Sequence, residues 1–216
     1  MYKRQLWGVG EKTSEVLRRL GLRTVGDIAR TPVGTLQRAL GPGVGAHLSA
    51  LSWGRDDRHV VPTEPDKSIG HEETFPRDVD DPAIILRELL RLSERTAARL
   101  REQGYAAKTI SIKVRFADFT TITRSRTIRL PTDTGRDVYE IARTLFLALG
   151  LQRARLRLVG VRAESLVPSS QAARQLLLGE RDSGWREAEQ AVDRASRRFG
   201  VGSVRPATLL EPPRPA

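Results

Sequence analysis

Between Ala107 and Phe116 the chain alternates without a slip. Ile110, Ile112, Val114 and Phe116 fall on one side, and Thr109, Ser111, Lys113 and Arg115 on the other. Successive side chains of an extended strand point to opposite faces, so this period of two describes a strand with one apolar and one wet face. Such a strand belongs in an antiparallel sheet that is covered on one side only. Two helical patterns supply the cover. Residues 82–103 carry Ile85, Leu89, Leu92, Thr96 and Leu100 on one face, and residues 135–149 turn Val138, Ile141, Leu145 and Leu149 inward. Strands over 67–75, 120–130 and 155–165 complete the order β-α-β-β-α-β, with Ala117-Asp118-Phe119 as the turn between the middle strands. The expected fold class is α+β, with a ferredoxin-like unit whose sheet has one open face.

Glycines and prolines divide the rest of the 216 residues. Residues 6–54 read as a small all-α unit with helices over 11–20, 25–29, 33–40 and 44–53; Gly21, Gly41 and Gly54 stand just past helix ends, and Thr31 is placed to cap the helix that opens near Pro32. Residues 55–66 are polar, hold two prolines and read as a linker. The ferredoxin-like unit spans 67–167, a flexible segment 168–184, and a helix with a tail 185–216. That last helix has Trp185, Ala188, Val192, Ala195 and Phe199 on one stripe, expected to dock on a domain or a partner. Tyr2-Lys3-Arg4-Gln5 matches what a transposase sequencing adapter encodes in one frame, so Leu6 is expected to be the first genuine residue, with a further region ahead of it.

Charge narrows the function. Lys plus Arg number 37 against 26 Asp plus Glu, a formal net charge of +11, which suits an acidic partner, nucleic acid first. From Tyr105 to Ser165 there are 12 basic residues and five acidic ones. Arg115, Arg124, Arg126, Arg155 and Arg157 come from three strands that one sheet can bring together, and the expectation is a single guanidinium-studded face that binds backbone phosphate. A solvated charged face is the competing reading for any one arginine. No aromatic pair lies on that face, which argues against an RNA-type stacking platform. With no Cys there is neither a disulfide nor a thiolate metal site, and His47, His59 and His71 have no ligand spacing. No stretch approaches the about 18 apolar residues of a membrane span. These features fit a reducing, cytoplasmic setting with no membrane partner.

Leu6-Trp7-Gly8-Val9-Gly10 permits a tight turn before the helix that starts at Glu11. Backbone N–H groups at such a helix start can hold a phosphate without reading bases, and Lys12 adds charge. Extended to Ala29, the string resembles the second half of a helix-hairpin-helix DNA-binding module; residues 41–53 form a similar hairpin or a plain capped turn.

These residues together resemble the Y-family translesion DNA polymerases, nearest their bacterial DNA polymerase IV type. Residues 6–29 are similar to the family's thumb. Lys67-Ser68-Ile69-Gly70 followed by Glu73-Thr74-Phe75 resembles the first strand of its little finger, Thr123–Thr127 the third and Arg157–Arg162 the fourth. Carried over by motif, the resemblance implies duplex contacts from Gly8, Val9, Gly10 and Lys12 in the thumb. In the little finger it implies Ser68, Ile69, Gly70, Arg124, Ser125, Arg126 and Arg157; Arg115 and Arg155 are added from the strand pattern alone. Leu158 stands where the family often has a second basic residue. Residues 185–210 resemble the C-terminal extension of actinobacterial members.

The same resemblance implies what these residues do not carry. The family's two-metal chemistry uses palm-domain carboxylates, including an adjacent Asp-Glu pair, and no Asp-Glu dipeptide occurs here. Asp56-Asp57, Glu72-Glu73 and Asp80-Asp81 fall in a linker, a strand and a helix cap. No catalytic and no metal-binding residue is therefore expected in this chain, Mg²⁺ belonging to a palm of the intact parent, and the chain alone is expected to be inactive. Gln175-Leu176-Leu177-Leu178-Gly179 resembles a sliding-clamp peptide through Gln175, Leu176 and Leu178, although Gly179 replaces the usual aromatic; a Leu-rich helix stub is the other reading. The expected whole is a monomer that grips primer-template duplex and recruits the clamp. A catalytically dead Y-family adaptor and a free-standing DNA-binding module are the alternatives.

Overall fold

The computed structural model describes residues 2–61, 66–151, 154–172 and 184–210. The chain divides into two compact units, Met1–Glu64 and Pro65–Ala216.

The first unit is helical: α1 (Glu11–Arg19), α2 (Val25–Arg30), α3 (Val33–Leu40) and α4 (Pro42–Ser52). Its core is five side chains, Val9, Leu17, Ile28, Leu36 and Leu48. With so little apolar volume, local signals matter. Thr24 and Asp27 close a reciprocal capping box on α2, with Asp27 N–H to Thr24 Oγ1 at 3.1 Å and Thr24 N–H to Asp27 Oδ2 at 2.8 Å. The two backbone N–H donors from Arg23 and Thr24 hold the Asp27 carboxyl down at about 2. Thr31 does not cap α3 as expected. Its hydroxyl donates to Asp27 O at 2.7 Å and so closes the end of α2, while Pro32 takes the N-cap position of α3. Gly41, at φ +90°, ends α3 and starts α4 in one residue, a corner that a side chain would strain. Residues 3–5 form a 3-10 turn in which Lys3 is buried, its Nζ donating to Ser14 O and Leu22 O; the helical unit therefore takes in residues ahead of Leu6.

The second unit contains β1 (Ser68–Val79), α5 (Pro82–Glu102), β2 (Tyr105–Phe116), β3 (Thr121–Thr132), α6 (Gly135–Leu147), β4 (Leu156–Pro168) and α7 (Trp185–Phe199). The strand order is β1-β4-β2-β3 with every pair antiparallel, so each helical crossover joins two strands split by a third. Element order alone left open which strands are central. They are β4 and β2, and their inner faces supply Val159, Val161, Ala163, Ile110, Ile112 and Val114 to the core. Helix α5 covers β1 and β4, and α6 covers β2 and β3. The stripe Ile85, Leu89, Leu92, Thr96 and Leu100 is buried as its spacing predicts. In α6 the fully buried positions are Val138, Ala142 and Phe146, whereas Ile141, Leu145 and Leu149 are only partly buried against the core. The small Ala142 lets the helix settle rotated from the orientation its larger residues suggest.

Helices α3 and α4 approach closely at Gly45. A Cβ on Gly45 would stand 2.5 Å from Gln37 N and 2.6 Å from Gln37 Cα, backbone atoms that cannot swing aside. Gly45→Ala is expected to destabilise the helical unit by about 1–3 kcal/mol through overpacking. Gly43→Ala, where a Cβ meets nothing within 4 Å, should be neutral or mildly stabilising. Denaturant unfolding of the two variants, followed by circular dichroism, measures both.

Candidate nucleic-acid interface

In the helical unit, Gly8 has φ +88° and Gly10 is the N-cap of α1; a Cβ at either would meet nothing within 4 Å. No side chain caps the start of α1, which leaves its first-turn N–H groups without a side-chain acceptor beside the exposed Lys12. An anion placed there would find donors and the positive end of the helix dipole. Val9 has a different job from its neighbours. Its side chain is 7% exposed within the core and its N–H donates to Leu6 O at 3.2 Å, so it packs the turn and spends its donor internally. Glu11 adds a competing negative charge but is paired with Arg4 at 2.8 Å.

The register of the sheet redistributes the other expected contacts. Ser125 lies opposite Ser111, which lies opposite Arg162, which lies opposite Gly70; Ser68 lies opposite Glu164. These residues share the open face with Arg115, Lys113, Thr121, Thr123 and Thr127. Arg124 and Arg126, however, pair with Ile112 and Ile110, whose side chains face the helices. Both arginines are exposed because β3 is an edge strand. Ile69 also points inward and is buried in the core. The expectation of one arginine-studded face is thereby corrected: consecutive residues of a strand cannot share a face, and Arg124-Ser125-Arg126 straddles the edge. Arg155 is exposed just ahead of β4. Arg157 sits where the β2–β4 register shifts, with Asp78 at 3.3 Å and the ring of Phe119 at 4.4 Å.

The open face itself is mostly hydroxyl. Of its cations, Lys113 is paired with Glu72 at 2.7 Å and Arg162 lies 4.0 Å from Glu164, while Arg115 donates to Thr121 Oγ1 at 3.0 Å. Thr109 Oγ1 and Thr127 Oγ1 are 3.0 Å apart, and Ser111 donates to Glu164 at 3.2 Å. The result is a near-neutral, hydrogen-bonding surface with guanidinium groups on its rim.

Sequence reasoning missed a buried charge cluster that docks α7 at the helical layer. Glu189 accepts from Gly135 N–H at 2.8 Å and Arg136 N–H at 3.3 Å, capping α6 from outside, and pairs with Arg101, whose Nε also donates to Asp193 at 2.6 Å. Arg186 binds the buried Asp133 at 2.7 Å. The apolar stripe expected to dock leaves Trp185 46% and Phe199 71% exposed. The signal that was available is the i, i+4 pair of acids, Glu189 and Asp193, on a helix otherwise rich in arginine. Beside them Glu94 is pushed up to about 7, chiefly by burial and then by the charges of Glu189 and Asp193.

Among the described residues no group of three or more His, Cys, Asp or Glu could hold a metal ion. The paired acids noted in the sequence have other partners: Asp56 grips Arg58 at 2.7 Å, Glu73 meets Arg91 at 2.7 Å, and Asp81 caps α5. Gln175, Leu176 and Leu178 lie outside the described residues.

Residues 66–178 match the impB/mucB/samB family C-terminal domain, and residues 4–56 match the DNA polymerase-iota thumb domain. A DNA polymerase IV of Desulfatibacillum aliphaticivorans is 36% identical over 208 residues, covering 95% of this chain and 52% of that protein. One from Streptomyces coelicolor is 40% identical over 171 residues, covering 79% of this chain and 36% of that protein. The chain thus spans about half the length, or less, of these curated relatives. Among solved structures, a Y-family DNA polymerase chimera, Dbh-Dpo4(243-245)-Dbh, shares the fold with a TM-score of 0.66 at 18% identity, covering 76% of this chain and 47% of that one.

The cluster gives a pH dependence of definite sign. A carboxyl raised from 4.5 to about 7 makes the folded state bind the extra proton, so the stability it contributes is present below its unfolded pKa and is lost as pH rises through 7. Unfolding midpoints of the chain are expected to fall between pH 5 and pH 8, and Glu94→Gln should flatten that fall. Thermal melts across the range measure it.

Proposed function

The chain belongs to the impB/mucB/samB family of Y-family DNA polymerases, with a thumb and a little-finger domain, and on that footing we propose that these two units are the duplex-gripping portion of a DNA polymerase IV-type translesion polymerase. The intact parent adds deoxynucleotides opposite damaged template, using Mg²⁺ held by palm carboxylates. The described residues here offer no such carboxylate cluster, and their part in the reaction is to hold primer-template. The thumb meets phosphate with the uncapped start of α1, the glycines Gly8 and Gly10 allowing close backbone approach and Lys12 adding charge.

One observation carries the little-finger reading: β3 runs along the sheet edge with Thr121, Thr123, Ser125 and Thr127 on the open face and Arg124 and Arg126 on its other side. Hydroxyl groups that both donate and accept suit a groove whose base edges vary, because they favour no one base pair strongly. Guanidinium groups along the rim suit phosphates, which fix position without specifying sequence. Ser68 and Gly70 line the open face at β1, Ile69 supports them from the core, and Arg115, Arg155 and Arg157 gather at the far end near the β2–β3 turn.

The segment holding Gln175, Leu176 and Leu178 is the proposed recruiter of the bacterial sliding clamp, by the placing of Gln and Leu anchors in a preformed groove. The protein works as a monomer in the cytoplasm, on the nucleoid. Among the described residues no helix is long and apolar enough to cross a membrane.

Six phosphate contacts imply a slope of about −5 for log affinity against log salt. The double change Arg124→Ala, Arg126→Ala should weaken duplex binding for every sequence tested and reduce the slope by about 1.8. Anisotropy titrations at several salt concentrations read this, and an unchanged slope would remove the rim from the interface. Separately, Gln175→Ala with Leu178→Ala is expected to abolish retention of the chain on immobilised clamp while leaving its duplex affinity as it was.

A further inference from the structure

We propose that Phe119, at the tip of the β2–β3 hairpin, is a positioning residue for Arg157, holding that guanidinium in the orientation in which it receives a backbone phosphate. The proposal rests on the duplex-gripping reading above and adds to it a residue that no motif pointed to.

The starting point is a residue placed against its own preferences. Phe119 has φ +68°, in the left-handed region where bulky side chains are rare, and it is 63% exposed. The turn enforces this. Asp118 Oδ1 accepts from Thr120 N–H at 2.9 Å and from Thr120 Oγ1 at 2.6 Å, while Phe116 and Thr120 close the hairpin through Phe116 N–H to Thr120 O at 2.9 Å. Gly or Asn meets these backbone demands at lower cost than Phe. Strain of this kind outside glycine, persisting together with an exposed aromatic ring, points to a use.

The described partner of the ring is Arg157, whose guanidinium carbon lies 4.4 Å from the ring centroid. Arg157 stands at the register shift of β4, and Asp78 of β1 approaches from another side, Nε to Oδ1 at 3.3 Å. Nη2 donates to Asp78 Oδ2 at 3.5 Å, and Nε is buried without a hydrogen-bond partner. The guanidinium is therefore oriented by an aromatic ring and a carboxylate while much of its donor capacity is unspent. Arg115 and Arg155 lie at the base of the same hairpin, Arg115 Nε donating to Thr121 Oγ1 at 3.0 Å and Arg155 O accepting from Ala117 N–H at 3.0 Å. A long side chain fixed before the ligand arrives loses less rotamer freedom on binding, which is the gain that a ring beneath it supplies.

The test uses the full chain and a labelled primer-template duplex, with anisotropy and thermal melts on the same samples. Phe119→Gly should weaken binding about 2- to 5-fold, the worth of an exposed cation–π contact. Its melting midpoint should be unchanged or higher, because glycine accepts the left-handed backbone. Phe119→Leu should lose the same affinity, Phe119→Tyr should retain it, and in an Arg157→Ala background Phe119→Gly should cause no further loss. Wild-type affinity in Phe119→Gly would overturn the proposal. So would an equal loss without Arg157, which makes the ring itself a ligand contact, or a lowered midpoint, which makes the tip a structural requirement. If Arg157→Ala alone binds with wild-type affinity and salt slope, the reading of Arg157 as a phosphate contact fails, and this proposal fails with it.

Discussion

The pleat of two central strands governs the little finger. Once Ile110, Ile112 and Val114 of β2 and Val159, Val161 and Ala163 of β4 are committed to the layer beneath α5 and α6, the pairing register dictates which side every other strand residue takes. A slip of one residue would move the whole apolar set to the wet face, so burial locks the register firmly. The edge strand inherits this alignment. Its own burial is slight, and Ser125 and Arg124 reach opposite sides because Ser111 and Ile112 do.

That inheritance shapes the interface. A broad face carrying five arginines would be a strong, salt-sensitive plate held tightly against any polyanion. The arrangement found is divided: hydroxyl groups and locally paired charges in the middle, exposed guanidinium groups along the edge strand, and at one hairpin end a further group in which Arg157 is held by Asp78. In the proposed grip on duplex, affinity comes from the two phosphate backbones, and the middle of the face has no strong preference for what lies between them. This suits a grip that tolerates distorted pairs. The thumb follows the same logic with backbone in place of side chains, offering N–H groups at the start of α1 while Val9 anchors the turn from beneath.

Much of this was readable in the sequence, because the fold rests on periodicity. The alternation over Ala107–Phe116 and the stripe from Ile85 to Leu100 place the sheet and its main covering helix, and the glycines at 21, 41 and 54 mark where helices end. The strand order and the rotation of α6 were not readable: the first depends on contacts between distant segments, the second on a small residue, Ala142, that carries little weight in a hydrophobic pattern. The facing of Arg124 and Arg126 follows from strict alternation in a run that reads simply as basic. Glu189 escaped because an acid is seldom the buried residue of an exposed helix, and its role appears only when Arg101 and the start of α6, far away in sequence, are brought beside it.

The seat of α7 bears on where this domain ends. The family match stops at residue 178, yet the carboxylate that caps α6 and neutralises Arg101 belongs to residue 189. A chain cut at the family boundary would keep every strand and both covering helices, and would expose a guanidinium that is now almost wholly enclosed. The ancestry of the domain and its cohesion thus have different edges, and the stretch that looks like an appendage is the lid on its electrostatics.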